Sequence, residues 1–338
     1  MLFLAGAIVV TTAAILSHFL NSASDDPIHT VYIVIEQDES VDSIAERLHE
    51  EGLIRSPGYF KLRVRITDAG NDIIAGRYRL DSGMTTAEII NTITAENAAL
   101  AQEISVRFTE GWRTEQFAEQ LVKAGLLEST DDFMRAAADP KWNARYDFLH
   151  TRPSGVALEG YLFPDTYNFR MDATPDAIIQ TLLDTFEARA VPDLRVQSVI
   201  LGMSIHQVMV IASIVEREAV EPSERATIAS VYYNRIAAGM PLQADPTVQY
   251  VLGRPGNWWP ELTGADLQQD GRYNTYLSTG LPPGPICNPS LASIMAALYP
   301  DQTDYLYFVA TGDGSHAFAR TLEEHEANIE RYQQGAGE

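Results

Sequence analysis

The sequence predicts a mixed α+β protein in which a small α+β module precedes a larger, helix-rich domain. Short stretches of alternating apolar and polar residues, such as residues 31–35, are interleaved with stretches whose apolar residues recur at helical spacing. The chain has 338 residues, more than one domain usually contains. Its apolar content of 46% and charged content of 21% are typical of a globular protein with a substantial core.

The first apolar stretch, residues 2–20, contains no Asp, Glu, Lys or Arg. About 19 residues at roughly 1.5 Å of rise each approach the hydrocarbon thickness of a bilayer, which predicts one transmembrane helix. We therefore assign residues 1–24 to a membrane anchor with a short linker. A cleaved signal peptide is the alternative, because Ser22, Ala23 and Ser24 offer the small residues of a cleavage site.

The small module is predicted over residues 28–97. Residues 31–35 alternate as a strand does, and the apolar residues that follow recur at helical spacing until Gly52. A second strand is predicted at residues 75–80, and a further helix from Thr85 onward. The helix before Gly52, within VDSIAERLHEEGLI, matches a later stretch, TEQFAEQLVKAGLL, in apolar spacing and in its glycine before two aliphatic residues. An internal repeat explains this match, and so does a generic amphipathic helix that ends at a glycine.

The larger domain is predicted over residues 98–335, with an N-terminal part up to residue 200 and a core from residue 201. The expected elements, in chain order, are a helix at 131–149, a loop at 153–167, helices at 175–190, 222–239 and 291–297, a strand at 305–310 and a polar C-terminal helix.

Charge and motif content exclude several functions. The formal net charge of −22, from 46 acidic against 24 basic residues, disfavours nucleic acid as a partner. A single cysteine, Cys287, cannot form an intrachain disulfide. The chain lacks the GxSxG, P-loop, GxGxxG and HExxH motifs. Among the seven histidines, only His316 has a sequence context that suggests a site, and packing in a turn explains it equally well.

The stretch IHQVMVIASIVEREAV, residues 205–220, contains an acidic pair at the end of an apolar helix. On an ideal wheel, three branched aliphatic residues fall within about 60° of Glu218, namely Ile211, Ile214 and Val215. Glu216 points to the opposite side. A carboxyl group among aliphatic side chains loses hydration, which raises its pKa and suits it to act as a general acid. The alternatives are that Glu218 is solvated, as acids near helix ends often are, or that Glu216 is the acid.

Further candidates are selected by residue type rather than by a strict motif. They supply the carboxylates, amides and aromatic faces that line carbohydrate clefts: Glu159, Asp165, Asn234, Gln243, Asp245, Trp258, Tyr273, Asn274 and Tyr276. Each of them, taken alone, is more simply explained as a cap, a turn residue or part of the core.

Several strings make the chain similar to a known family. They are LEGYLFPDTY, ASIVEREA, ERATIASVYYNRIAAGMPLQADPTVQY, YNTY, TGLPPGPICNP and YLYFVATGDGSHAF, in this order after an N-terminal anchor. The chain resembles the endolytic murein transglycosylase family (MltG, or YceG-like). The resemblance implies a LysM-like module after the anchor, and a catalytic domain with a lysozyme-like helical site on the periplasmic or extracellular side of the cytoplasmic membrane.

The resemblance also implies the chemistry. It makes Glu218 the catalytic acid, and no metal or cofactor is expected. One glutamate would cleave peptidoglycan glycan strands without water, leave 1,6-anhydro ends and limit strand length. The implied partners are the strands, the membrane and peptidoglycan synthases. The residues expected to hold the sugars are Glu159, Asn234, Gln243, Asp245, Asn274 and Tyr276.

Three positions depart from the family pattern. Ala219 stands where many lytic transglycosylases have Ser or Thr, so another polar side chain, from the loops that follow, is expected to orient the acid. Ser290 and Ser315 stand where glycine is common. Two other functions remain open, a hydrolytic muramidase that uses Glu218 with Asp245, and a non-catalytic scaffold that binds the wall.

Overall fold

The computed structural model of the protein describes residues 29–36, 38–95 and 103–332. The predicted anchor at residues 1–24 and the predicted boundary between residues 97 and 98 lie outside these ranges. Within them no single helix is long and apolar enough to cross a membrane. The helices Val191–Ile200 and Ile205–Glu218 reach that length and composition only as a pair, which is bent by 104°.

The predicted α+β class is confirmed, because the described residues form thirteen α-helices and three two-stranded sheets. The chain divides into two compact units. The first contains the described residues up to Ser105 together with Asn168–Ala173. The second contains Val106–Tyr167 and the described residues from Thr174 onward.

The first unit has the element order β-α-α-β-α. Its elements are β1 (Thr30–Ile35), α1 (Val41–Glu50), α2 (Pro57–Ile66), β2 (Gly76–Asp81) and α3 (Thr86–Thr94). The two strands pair antiparallel, from Thr30 opposite Asp81 to Ile35 opposite Gly76. Both predicted strands and the helix after Thr85 are therefore confirmed. The core of this unit is built from aliphatic residues of all five elements around the buried rings of Phe60 and Tyr78.

The next elements are β3 (Glu103–Arg107), α4 (Thr114–Lys123), α5 (Thr130–Ala138), α6 (Lys141–Arg145), β4 (Thr166–Arg170), α7 (Pro175–Arg189) and α8 (Val191–Ile200). The prediction of one helix over residues 131–149 is wrong. In the structure this segment is divided after Ala138. The residue before Pro140 is forced out of helical geometry, and Asp139 has a ψ of 126°. The helix predicted at residues 175–190 is confirmed, with the Thr174 side chain accepting a hydrogen bond from Ala177 N.

The two matching strings form helices with the same kind of end. Both α1 and α4 have ten residues, and glycines with left-handed backbones follow them, Gly52 at φ 69° and Gly125 at φ 74°. Residues with a side chain rarely adopt this conformation. The pattern of an amphipathic helix closed by a glycine, which both explanations of the match predict, is thus confirmed.

The core of the second unit begins with α9 (Ile205–Glu218). The elements after it are α10 (Arg225–Ala237), α11 (Asp245–Leu252), α12 (Leu291–Leu298), β5 (Tyr307–Ala310), β6 (His316–Ala319) and α13 (Leu322–Tyr332). Helix α9 is central, since every residue from 208 to 215 is buried and it packs against α10 and α12. The strands β5 and β6 form an antiparallel hairpin. Glu218, at the end of α9, is held in place by this apolar packing.

Candidate active site

Helix α9 positions Glu218 through a cap at its start and apolar packing along its length. At the start, the Ser204 side chain accepts a hydrogen bond from Gln207 N, and the Gln207 side chain accepts one from Ser204 N, which forms a capping box. The buried aliphatic residues that follow contribute about 1.5–3 kcal/mol each through removal from water. Glu218 is the last residue of the helix, at the point where it leaves the core.

The Glu218 side chain borders a cavity of about 420 Å³. The residues that line this space come from α9, α10, the loop between α10 and α11, the start of α11, the loop after α11, the β5–β6 hairpin and α13. They are Glu218, Tyr232, Arg235, Leu242, Gln243, Asp245, Tyr276, Phe308, Val309, Ala310, His316, His325 and Ile329. Carboxylates, phenols, an amide and a guanidinium therefore surround one space, as they do in sites that bind polar ligands.

The electrostatic surroundings of Glu218 favour its protonated form. Burial raises the pKa of the Glu218 carboxyl to about 7, and the charge of Asp245 adds to the rise. The hydroxyl of Tyr232 donates a hydrogen bond to Glu218 Oε1 at 2.9 Å, which lowers the pKa, as do the more distant charges of Arg217 and Arg235. The carboxyl group is therefore partly protonated near neutral pH, as a general acid must be.

The other acid of the pair, Glu216, is occupied by structural hydrogen bonds. Its Oε2 accepts from the Ser290 backbone N–H at 3.0 Å and from the Ser290 hydroxyl at 2.5 Å. The Ser290 side chain also caps α12 by accepting from Ser293 N. Serine at this position therefore ties the start of α12 to α9, and Glu216 does not line the cavity.

Tyr232 supplies the polar contact that a hydroxyl at position 219 cannot provide. The sequence predicted that a side chain from the following loops would orient the acid in place of Ala219. The contact comes instead from the helix α10, where Tyr232 is buried, with its ring edge against Phe308 at a centroid distance of 6.0 Å.

Asp245 and Tyr276 form a second carboxyl–phenol pair in the cavity. The hydroxyl of Tyr276 donates to Asp245 Oδ1 at 2.5 Å. Burial and then the adjacent Asp245 raise the pKa of Tyr276 far above its ordinary value, so the phenol keeps its proton. Asp245 is the first residue of α11, where the partial positive charge of a helix N-terminus favours a carboxylate.

Gln243 is held in a rare backbone conformation beside this pair. Its φ of 49° lies in the left-handed region, which costs about 1–3 kcal/mol for a residue that is not glycine. The buried Arg235 stabilises it by donating from Nη1 to Gln243 Oε1 at 3.1 Å and to Leu242 O at 2.9 Å. The Gln243 backbone N–H donates to Thr275 O at 3.0 Å. Such strain is often stored at functional sites.

Comparison with known proteins identifies the family. A family model described as the YceG-like family matches residues 33–331. This chain belongs to the YceG-like family. An endolytic murein transglycosylase of Bacillus subtilis is 35% identical over 322 residues, covering 93% of this chain and 88% of the relative. One from Streptococcus pneumoniae serotype 2 is 28% identical over 321 residues, covering 88% of this chain and 58% of that longer protein.

A solved structure of a YceG-like protein from Listeria monocytogenes is also similar. It matches with a TM-score of 0.58 and 32% identity, and the match covers 89% of this chain and 99% of that chain. The structural similarity therefore extends across most of the YceG-like chain, in agreement with the family model.

Of the residues that the sequence selected in this YceG-like chain, five line the cavity: Glu218, Gln243, Asp245, Tyr276 and His316. Glu159, Asn234 and Asn274 do not line it. Asn234 Nδ2 donates to the carbonyl oxygens of Thr303 and Tyr305, and Asn274 Nδ2 donates to those of Leu267 and Gln269. Their amides stabilise loops near the site, while Glu159 is enclosed elsewhere in the second unit.

Sequence reasoning missed Tyr232 and Arg235 in the YceG-like motif YYNRIAAG. A wheel of α10 provides the signal, because Ile228 and Val231 lie on the same face as Tyr232 and Arg235, at spacings of three, four and seven. An arginine on an apolar helix face needs buried partners, which made it a better candidate than the adjacent Asn234.

Proposed function

We propose that this chain is an endolytic lytic transglycosylase that cleaves MurNAc–GlcNAc bonds within nascent peptidoglycan strands without water. The observation that carries this proposal is Glu218, a carboxyl group with a pKa raised to about 7 that borders an open cavity. The similarity to relatives named endolytic murein transglycosylases supports the same reaction.

In the first step, protonated Glu218 gives its proton to the glycosidic oxygen as the bond from that oxygen to the muramyl anomeric carbon breaks. The departing sugar leaves as an alcohol, and the muramyl ring becomes an oxocarbenium-like cation. General acid catalysis of this kind contributes roughly 10²- to 10⁴-fold. Tyr232 then stabilises the carboxylate that forms, because its hydroxyl already donates to Glu218 Oε1.

In the second step, the C6 hydroxyl of the same muramyl residue attacks the anomeric carbon. The Glu218 carboxylate takes the proton of that hydroxyl, so the carboxyl group returns to its starting form and a 1,6-anhydro ring remains. No water is consumed. Among the cavity residues, Asp245 provides negative charge near the cationic ring, while Gln243 and Tyr276 offer hydrogen bonds to sugars.

The setting of the enzyme follows from the same proposal. Residues 1–24 anchor it in the cytoplasmic membrane, and the catalytic unit lies on the periplasmic or extracellular side. We assign a LysM-like role to the first unit on the basis of its β1-α1-α2-β2 order. An anchored enzyme meets strands as peptidoglycan synthases extend them, so synthases are the partners we expect.

Mass measurement of digestion products tests the proposal. Purified sacculi are treated with the wild-type chain and with Glu218→Gln, and the released muropeptides are weighed. We expect 1,6-anhydro products from the wild type and none from Glu218→Gln. Glu216→Gln is the matched control, since its amide oxygen can still accept from Ser290, and its products should equal those of the wild type.

Other outcomes favour the alternatives. Products heavier by one water would indicate a hydrolytic muramidase, for which the proximity of Asp245 to Glu218 is the favouring observation, because its charge raises the pKa of Glu218. Binding of sacculi by the wild type without any product would indicate a scaffold. Equal anhydro product from the wild type and Glu218→Gln would overturn the role of Glu218.

A further inference from the structure

His316, the first residue of β6, forms a two-point contact with Glu224, which precedes α10. The His316 backbone N–H donates to Glu224 Oε1 at 3.0 Å, and its Nδ1 lies 2.7 Å from Glu224 Oε2. Both side chains are largely enclosed, with exposed fractions of 8% for His316 and 16% for Glu224. The contact joins the β5–β6 hairpin to the segment that follows Glu218.

This contact determines which nitrogen of the neutral imidazole carries the proton. A backbone N–H can only donate, so Glu224 Oε1 is committed as an acceptor. The other carboxylate oxygen is also an acceptor, and Nδ1 must therefore donate to it. The proton of the neutral ring resides on Nδ1, and Nε2 is left as a hydrogen-bond acceptor.

The ring of His316 borders the same cavity as Glu218. Phe308 fixes its orientation, with the two rings perpendicular at a centroid distance of 5.3 Å. The same Phe308 packs against Tyr232, the partner of Glu218. Within the described ranges, no residue forms a hydrogen bond with Nε2. A half-buried, oriented acceptor for which the described residues provide no partner is thus present in the wall of the cavity.

We propose that His316 binds substrate through Nε2, which accepts a hydrogen bond from a sugar hydroxyl of the glycan strand, and that Glu224 positions it by fixing the tautomer. The inference rests on the proposed function and adds a strand contact on the side of the cavity formed by the β5–β6 hairpin. In this arrangement the strand is held between His316 on one side and the Glu218 region on the other. The role of His316 is to place the scissile bond of the strand next to the Glu218 carboxyl.

Two variants separate the two parts of the proposal. His316→Asn keeps an amide N–H near the position of Nδ1, so the contact with Glu224 is preserved, but nothing remains at the position of Nε2. Glu224→Gln keeps the ring and reverses its tautomer. The glutamine oxygen must still accept from the His316 backbone N–H, so its NH₂ group faces Nδ1 and donates to it. The ring proton then moves to Nε2, which becomes a donor.

We expect both variants to lower kcat/KM on solubilised, uncross-linked glycan strands by roughly 10- to 100-fold, as for loss of one substrate hydrogen bond in an enclosed site. Their melting temperatures should stay near that of the wild type, and their residual products should still be 1,6-anhydro sugars. His150→Asn is the control. His150 is an exposed residue of the second unit that does not line the cavity, and its loss should leave kcat/KM unchanged.

The possible outcomes are distinct. Wild-type activity in both variants would overturn the inference while leaving the proposed function intact. Loss of activity in His316→Asn alone would retain the substrate contact and overturn the role of Glu224 in fixing the tautomer. Loss accompanied by a large fall in melting temperature in both would reduce the pair to a structural contact. Absence of anhydro product from the wild type would instead overturn the proposed function itself.

Discussion

Two carboxyl groups of the second unit, those of Glu218 and Glu159, have pKa values that loss of hydration raises above the ordinary range, yet their surroundings differ. Glu159 is 4% exposed and accepts hydrogen bonds from Thr114 N, Thr114 Oγ1 and Asn288 Nδ2. Glu218 has one hydrogen-bond partner among the described residues, Tyr232, and faces the cavity. Both carboxyl groups therefore have a raised pKa, but only that of Glu218 is accessible to a ligand in the cavity.

The surroundings of Glu159 have a structural purpose. Asn288, which donates to Glu159, also accepts from Gly160 N at 2.9 Å and from Leu162 N at 3.1 Å. The carboxyl group and the amide thereby join the loop before β4, the start of α4 and the loop before α12. Strong burial with fixed donors characterises a structural acid, whereas burial with one open side permits proton transfer to a ligand.

Activity measurements on matched glutamine variants provide the strongest test of this comparison. Glu218→Gln is expected to lower kcat on glycan strands by on the order of 10²- to 10⁴-fold, because the amide cannot donate the proton. Glu159→Gln should stay within a few-fold of the wild type, since Glu159 does not reach the cavity. A comparable loss in both variants, with folding preserved, would contradict the distinction between the two acids.

The local parts of this arrangement could be predicted from the sequence, and the non-local parts could not. The period of apolar residues in α9 is fixed by helix geometry, so the wheel correctly predicted the loss of hydration that raises the pKa of the Glu218 carboxyl. The sequence also contains the signal for the break at Pro140, because the residue before a proline disfavours helical geometry. The role of Glu218 and of the other selected residues in catalysis stays a prediction.

Partners distant in the chain carry no such local signal. Tyr232 and Glu218 meet only because α9 and α10 pack together, and β6 exists because its four residues pair with β5. Residue type alone could not separate Asp245, which lines the cavity, from Asn274, whose amide is used by loop carbonyl oxygens. Both are polar residues in loop-rich sequence, and only the tertiary structure decides their direction.

Stability measurements should rank the two acids in the opposite order, with Glu159 contributing to stability and Glu218 not. Glu159→Ala leaves the donors of Thr114 and Asn288 without their acceptor, which should lower the free energy of unfolding by about 2–4 kcal/mol. Glu218→Gln should instead raise it at neutral pH. The folded-state pKa of Glu218, about 7, exceeds its ordinary value of 4.5. The contribution of the protonated carboxyl to the free energy of unfolding is therefore fully present below pH 4.5 and is lost as the pH rises through about 7.

Urea unfolding of the wild type and Glu218→Gln across this pH range checks the sign. Their difference should be small below pH 4.5 and grow to at most about 3 kcal/mol above pH 7. A difference that does not change with pH would mean that the Glu218 carboxyl is not held in its protonated form. Destabilisation by Glu159→Ala of less than about 1 kcal/mol would mean that its donors find water instead.

The smallest expected effects are shifts of the pH profile in opposite directions. Because Glu218 must be protonated, kcat/KM should fall as the pH rises above about 7. Tyr232→Phe removes the hydrogen bond that favours the ionised carboxylate, so the pKa rises and the fall moves to higher pH. Asp245→Asn removes a like charge, so the pKa of Glu218 decreases and the fall of kcat/KM moves to lower pH.

Glu159→Gln is the control and should leave the pH profile of kcat/KM unchanged. Shifts of the two cavity variants in the same direction would show that the fall does not report the ionisation of Glu218, and the comparison of the two acids would then lose its electrostatic basis.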